Sequence, residues 1–367
     1  MKKNSSFVVL AAVMAALLSF SSCSNGSKTS ELYSVTIDAV ANGTVIASKT
    51  SEIAEGETIT LTITPEANYE LDSISAGSSV TLEGTGNTRT FAMPAANVTV
   101  TAVFKEIVYI GTKKPNVAKA VGDIVFNDGS SMAYSDFDAL DAATKTAKKT
   151  SAIALIFYKG TGLNSGDDTT TSRTLGVGLK HDTAGRAWCR KTSDTDYANA
   201  RNLEIETICC PQDGAVGAYT FTGDKNGSDN LEQIAEFLTA TDGVTDDTGT
   251  EENYPAFYFA KNYAAQTGSN ITAGSEYATG WYLPTTAELF QIYACSADTE
   301  NGFNVYAASQ FLGDEFANSY YWSSSQYPKD SMPGSEVAAM QFTFSNGSIA
   351  YDAKQLSYSL VVIRAFN

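Results

Sequence analysis

Gly280-Trp281-Tyr282-Leu283-Pro284-Thr285-Thr286-Ala287-Glu288-Leu289 joins a strand to a helix, and the chain beyond residue 107 is most simply organised around that joint. Trp281 and Leu283 alternate as in a half-buried strand. Pro284 lacks an N–H and halts the ladder. Thr285-x-x-Glu288 is a capping box that opens Leu289-Phe290-Gln291-Ile292-Tyr293 as a helix.

Toward the C-terminus the pattern returns to strands. Tyr320-Tyr321-Trp322-Ser323-Ser324-Ser325 and Ala338-Ala339-Met340-Gln341-Phe342-Thr343-Phe344 can pair, and Ser345-Asn346-Gly347-Ser348 turns the second into Ile349-Ala350-Tyr351. The closing Tyr358-Ser359-Leu360-Val361-Val362-Ile363-Arg364-Ala365-Phe366 is apolar enough to be inserted into a sheet. Upstream, Val121 to Gly129 reads as a strand ended by an Asp-Gly turn, and Ala152 to Tyr158 as a more fully buried strand. Ser135 to Lys148 is expected as one helix with Ser135 as N-cap. Further helices are expected from Asp229, with Leu231, Ile234, Ala235 and Leu238 on one face, and from Pro255 to Ala265. Strands interleaved with helices make this an α+β region.

Between Tyr33 and Phe104 the chain is a run of short strands broken by Asn42-Gly43, Glu55-Gly56 and Gly84-Thr85-Gly86-Asn87. Thr58 to Ile63 and Val98 to Phe104 alternate threonine with apolar residues, so each buries one face. The Lys105 to Val121 stretch, with Lys113-Lys114-Pro115, places a domain boundary near 108. At the start, Lys2 and Lys3 precede an apolar run from Phe7 to Phe20 that is too short for an ordinary membrane span and has the form of a signal peptide.

Three resemblances attach to these motifs. Leu18-Ser19-Phe20-Ser21-Ser22-Cys23 resembles a bacterial lipobox, which implies a signal peptide over 1–22, lipidation at Cys23 and a flexible tether over 23–31. Acyl chains on that cysteine would hold the protein to a membrane, at about 0.8 kcal/mol per buried methylene. Asn42-Gly43-Thr44-Val45, Glu55 to Leu61, Thr64-Pro65-Glu66-Ala67-Asn68-Tyr69 and Phe91 to Phe104 resemble the divergent internalin B-repeat family, which implies a small β-rich stalk over 32–107. Gly280 to Leu289, Tyr321-Trp322-Ser323-Ser324, Phe342-Thr343-Phe344-Ser345-Asn346-Gly347 and Val362 to Phe366 resemble the Lcl C-terminal domain family. That resemblance runs from about residue 121 to 367, its motifs lying in the C-terminal half, and implies that 108–367 is a C-type lectin-like domain related to formylglycine-generating enzymes. It assigns Trp281, Glu288 and Trp322 to the scaffold and ligand contacts to the displayed loops.

A formal charge of -17 with one histidine argues against a basic face for nucleic acid or for an anionic bilayer; the acidic surplus serves solubility. Apart from Cys23, four cysteines remain, and a disulfide between Cys189 and Cys209, or Cys210, is the favoured pairing. Adjacent Cys209 and Cys210 cannot easily bridge each other, and their early position departs from the catalytic cysteines of formylglycine-generating enzymes. Neither C-x-x-C nor a Cys/His metal spacing occurs. His181 lacks an accompanying nucleophile motif and reads as a surface residue. Asp224 to Asp229 offers oxygen ligands, but its glycine is not where an EF-hand needs it, so the segment reads as a turn.

The expected ligand-binding residues are Tyr320, Tyr327, Lys329 and Asp330, because flat aromatics bind at low entropic cost and Gly, Pro, Lys and Asp crowd the loop after Tyr327. Together these readings describe an envelope lipoprotein, held to the outer membrane through its lipid and facing outward, that binds an extracellular protein or glycan. No cofactor is expected, with calcium in a lectin-like loop left open. The alternatives are an enzyme on the same scaffold and a purely structural envelope protein.

Overall fold

The computed structural model describes residues 31–166, 168–190, 203–240, 248–297, 303–328 and 338–367. The chain divides into two compact units between Val108 and Tyr109.

The N-terminal unit contains two three-stranded sheets. One orders Val35–Ile37, Val98–Glu106 and Tyr69–Ser75, with the first two parallel. The other is antiparallel, with Thr58–Pro65 between Gly43–Ala47 and Thr88–Ala92. Ile59, Leu61 and Ile63 from one sheet and Val98, Val100 and Phe104 from the other share one hydrophobic cluster. The threonines between them face outward, as a period of two requires.

The C-terminal unit is built on a six-stranded antiparallel sheet. Its order is Ser131–Ala133, Asp123–Phe126, Ala152–Gly160, Arg173–Gly178, Ile363–Ala365 and, at the edge, Trp281–Tyr282. Both faces are covered, which is why Ala152 to Tyr158 is a continuous apolar run rather than an alternating one. Leu155, Phe157, Leu175 and Val177 join one core cluster with Ala287, Leu289 and Ile292 of the Thr286–Ala294 helix. Ile153, Ala154 and Ile156 join the other, with Ile234 and Leu238 of the Asn230–Ala240 helix and Phe257 and Phe259 of the Pro255–Lys261 helix. A five-stranded sheet stands beside it, ordered Asp182–Ala187, Ser357–Leu360, Tyr320–Gln326, Ala338–Thr343 and Ser348–Ala353. The unit is α+β.

Three expectations change. The closing apolar run is two strands, Ser357–Leu360 in the second sheet and Ile363–Ala365 in the central one. Val361 and Val362 at the crossing enter opposite core clusters, so the run stays buried while changing sheets. The single helix from Ser135 is broken into Tyr134–Asp138 and Ala142–Lys149. Asp141 restarts it by accepting from the Ala143 and Thr144 amides, both at 3.0 Å, whereas Ser135 caps nothing. Tyr282, expected on the open side of a half-buried strand, is buried with its neighbours Trp281 and Leu283.

Candidate functional site

The capping box forms as expected. Thr285 Oγ1 accepts from the Glu288 amide at 3.2 Å, and Glu288 Oε2 accepts from the Thr285 amide at 2.9 Å. A surface capping box would end there. Glu288 is instead fully buried, and its other oxygen accepts from Arg173 Nη1 at 3.1 Å and from the Tyr282 hydroxyl at 2.8 Å. Arg173 Nη2 donates in turn to the Tyr282 hydroxyl at 2.5 Å, and Nη1 also to the Leu163 carbonyl. The Gly227 amide donates to Glu288 Oε2 at 3.2 Å. One carboxylate thereby ties the 224–228 turn, the Arg173–Gly178 strand and the Thr286–Ala294 helix together. Burial pushes the Glu288 carboxyl up, opposed by Arg173 and the amide donors.

Gly227 is required there by space. A Cβ at that position would lie 2.6 Å from the Leu283 carbonyl oxygen and 3.1 Å from Glu288 Oε2. Gly280, at φ +83, provides the left-handed turn into the edge strand that any side chain would strain.

Beside this hub, Asp224 accepts from the Ser165 hydroxyl and from the Asn226 amide at 3.2 Å. The sense of the Asn230 amide is set by its neighbours: its nitrogen faces Asp224 Oδ2 at 2.5 Å and its oxygen faces the Ser324 hydroxyl at 2.8 Å. Burial pushes Asp224 up to about 6, with the hydroxyl and amide donors opposing. In the segment considered for calcium, Asp224 and Asn226 spend oxygens on protein donors, Asn226 capping the Gly227–Asp229 turn through Ser228 at 3.1 Å, while Asp229 Oδ1 is buried without a partner among the described residues. Among the described residues, no group of three or more His, Cys, Asp or Glu converges as a metal site.

Two depressions flank the Trp281–Tyr282 edge strand and a third adjoins the second, neighbours sharing lining residues. The first, about 410 Å³, is lined by Leu231, Ala235, Phe257, Ala260, Trp281 and Leu283 with Ser228, Glu232 and Lys261 at its polar margin. Ser228 and Tyr282 separate it from the second, about 470 Å³, where Asn164, Ser165, Asp168, Asn226, Asp229 and Arg173 present amides, hydroxyls and charges. Arg364, Ala365 and Asn367 separate the second from a third of about 270 Å³ that also meets Lys119, Glu276 and Tyr277. An apolar, a hydrogen-bonding and a basic depression adjoin one another through these shared residues, as a segmented groove.

The described residues expected to bind ligand do not line these three depressions; Tyr320 lines a separate one of about 320 Å³ with Asn318, Ser345 and Asn346. Tyr320 is 47% exposed and packs edge-on against Tyr358 at 5.5 Å, while Tyr327 is half-buried with its ring 4.1 Å from Tyr351. They flank opposite ends of the Tyr320–Gln326 strand, roughly 20 Å apart at the usual rise per residue, so they do not form one aromatic face. Lys329, Asp330 and Cys23 lie outside the described residues. Trp322 is fully buried, its Nε1 donating to the Arg186 and Leu356 carbonyls at 3.0 and 3.2 Å.

The expected Cys189 to Cys209 bridge is not formed: Cys209 and Cys210 are free thiols. Cys189 is drawn into the core beside Trp188, with its amide on the Lys354 carbonyl at 3.1 Å, whereas Cys210 belongs to the other hydrophobic cluster. Burial pushes both the Cys209 and Cys210 thiols up to about 12, so neither is a thiolate at neutral pH. His181 is not on the surface. It is 1% exposed, held against Phe316 at 4.7 Å, with Nδ1 3.2 Å from the Glu315 carbonyl, and burial pushes it down to about 4.

Sequence reasoning missed Arg173, Arg364 and Lys119. A signal was present in one case: Arg364 is the lone charge in an otherwise apolar terminal run.

Residues 33–108 match the divergent InlB B-repeat domain. No curated protein matches the chain.

Proposed function

We propose that the protein is a lipid-anchored envelope protein whose C-terminal unit binds an extracellular glycan in the groove along the Trp281–Tyr282 edge, the repeat unit serving as its stalk. The observation that carries this reading is the central depression, where Asn164, Ser165, Asn226, Ser228 and Asn367 line one cleft between charged groups. Asn164, Ser165 and Ser228 bond within the protein, but among the described residues the Asn226 and Asn367 amide nitrogens and Asp229 Oδ1 do not, and these suit a hydroxylated ligand better than an apolar one. The apolar section at one end is walled by Leu231 and Ala235, with Trp281 and Phe257 buried behind them.

The resemblance to the Lcl C-terminal and C-type lectin-like families supports binding in the same sense. The thiols at about 12 and the buried imidazole supply no activated nucleophile or base, which favours binding over the enzyme alternative. Lipid attachment rests on the motif ending at Cys23, and outer-membrane placement on that attachment.

A glycan and host-protein array probed with the full chain, with and without chelator, tests the reading. Glycan binding abolished by Ser228→Trp supports it. Binding to no glycan under either condition leaves the structural alternative ahead, and chelator-sensitive binding assigns the calcium role left open.

A further inference from the structure

We propose that the basic end of the groove is a carboxylate subsite, in which Lys119 and Arg364 hold the acid group of a sugar acid whose hydroxyls occupy the central depression. The inference rests on the glycan-binding reading and names the class of glycan.

Lys119 is 8% exposed, and its ammonium makes one long bond, 3.4 Å to the Pro115 carbonyl. Arg364 donates only to carbonyls: Nε to Thr279, Nη1 to Ala365 and Nη2 to Glu276, each at 2.9 Å. Among the described residues neither cation has an ion-pair partner. An ammonium carries three N–H donors and a guanidinium five. The bonds above leave two unused on each residue, and both line the same cleft of about 270 Å³.

Burying a cation without a counter-ion is costly. Burial does lower both Lys119 and Arg364 from their ordinary values. Asp123, on the central sheet, is occupied by Lys113 at 2.6 Å. Glu276 also walls the cleft, so the side-chain charge is two cations against one carboxylate. The guanidinium lies over Tyr277 and Phe366 with its carbon 5.0 and 5.1 Å from their ring centres, which fixes its plane. A rigid planar donor beside a compact ammonium fits two carboxylate oxygens. Arg364 borders the central depression as well, so acid and hydroxyls would be held within one sugar unit of each other.

The test is calorimetric titration of the full chain with an oligosaccharide of alternating glucuronate and N-acetylglucosamine, against the same oligosaccharide with its carboxyls reduced to alcohols. The acidic form is expected to bind at least about tenfold more tightly, with the preference weakening at raised salt. Lys119→Met and Arg364→Gln should each remove that preference while retaining binding of the reduced form, and Glu276→Gln should increase it. Lys119→Met keeps the test decisive if Arg364→Gln fails to fold. Equal binding of both forms overturns the subsite and leaves the glycan reading intact. Binding of neither overturns both. Equal binding of a sulfated neutral oligosaccharide, or tighter binding of a glutamate-rich peptide, overturns the sugar-acid assignment.

Discussion

The Arg173 guanidinium and the Glu288 carboxylate meet at 3.1 Å with only 7% and 0% of their side chains exposed. Removing one member of a buried pair leaves the other charged and undersolvated, which costs about 3–5 kcal/mol. Arg173→Met should therefore lower unfolding stability by that order in urea titrations. Arg173→Met with Glu288→Met should cost clearly less than the two single changes added together. A single-variant loss below about 1 kcal/mol would mean that water reaches the pair.

The turn that carries Gly227 is expected to tolerate no side chain. Gly227→Ala places a methyl 2.6 Å from a backbone oxygen, so it should shift the melting temperature and weaken glycan binding together. Thr285→Ala removes the cap and should cost about 1 kcal/mol with less effect on the groove. Equal effects of both variants on binding would show that the turn's geometry does not shape the site.

Asp224 and His181 make opposing contributions to pH dependence. Asp224 is raised from 3.8 to about 6 in the fold, so its contribution is full below pH 4 and is lost as pH rises through 6. His181 is lowered from 6.5 to about 4, so its contribution is full above pH 6.5 and is lost as pH falls through 4. Each effect is on the order of 3 kcal/mol at most. These two contributions should thus nearly offset each other between pH 4 and 6.5. His181→Phe should expose a decline with rising pH, and Asp224→Asn a decline with falling pH. Denaturant midpoints measured across that range decide it, and two variants with parallel profiles would refute the assignment.

Ligand contacts separate the groove from the residues singled out by composition alone. Ser228→Trp, at the wall between the first two depressions, should abolish glycan binding, whereas Tyr320→Ala should leave it within about twofold. The reverse result, read on the same array, would return the site to the Tyr320 side of the second sheet.

Cys23→Ala, or globomycin treatment, should abolish lipid labelling and release the protein from membranes. Unchanged retention would refute the lipid anchor.

Local rules carried the sequence reading a long way. Period-two alternation in Thr58 to Ile63, the Thr285 and Glu288 box and the Asn346-Gly347 hairpin each act within a few residues, and each forms as read. The repeat unit was legible for the same reason. Where competing local signals met, the stronger cap won, as Asp141 did over Ser135.

The groove could not be read that way, because its walls come from segments distant in the chain. Lys119 and Arg364 face one cleft because the terminal run leaves the second sheet at Val361 and Val362 and pairs with Trp281 and Tyr282 at the edge of the central one. Glu288, while still capping its helix, is also the buried partner of Arg173, a residue 115 positions away in the chain. The sequence by itself determined the elements, their caps and turns, and the repeat module, since these follow from backbone preferences between near neighbours. Only the tertiary structure decided which charges are buried together and which edge is left open, since burial and pairing depend on contacts that no local pattern encodes.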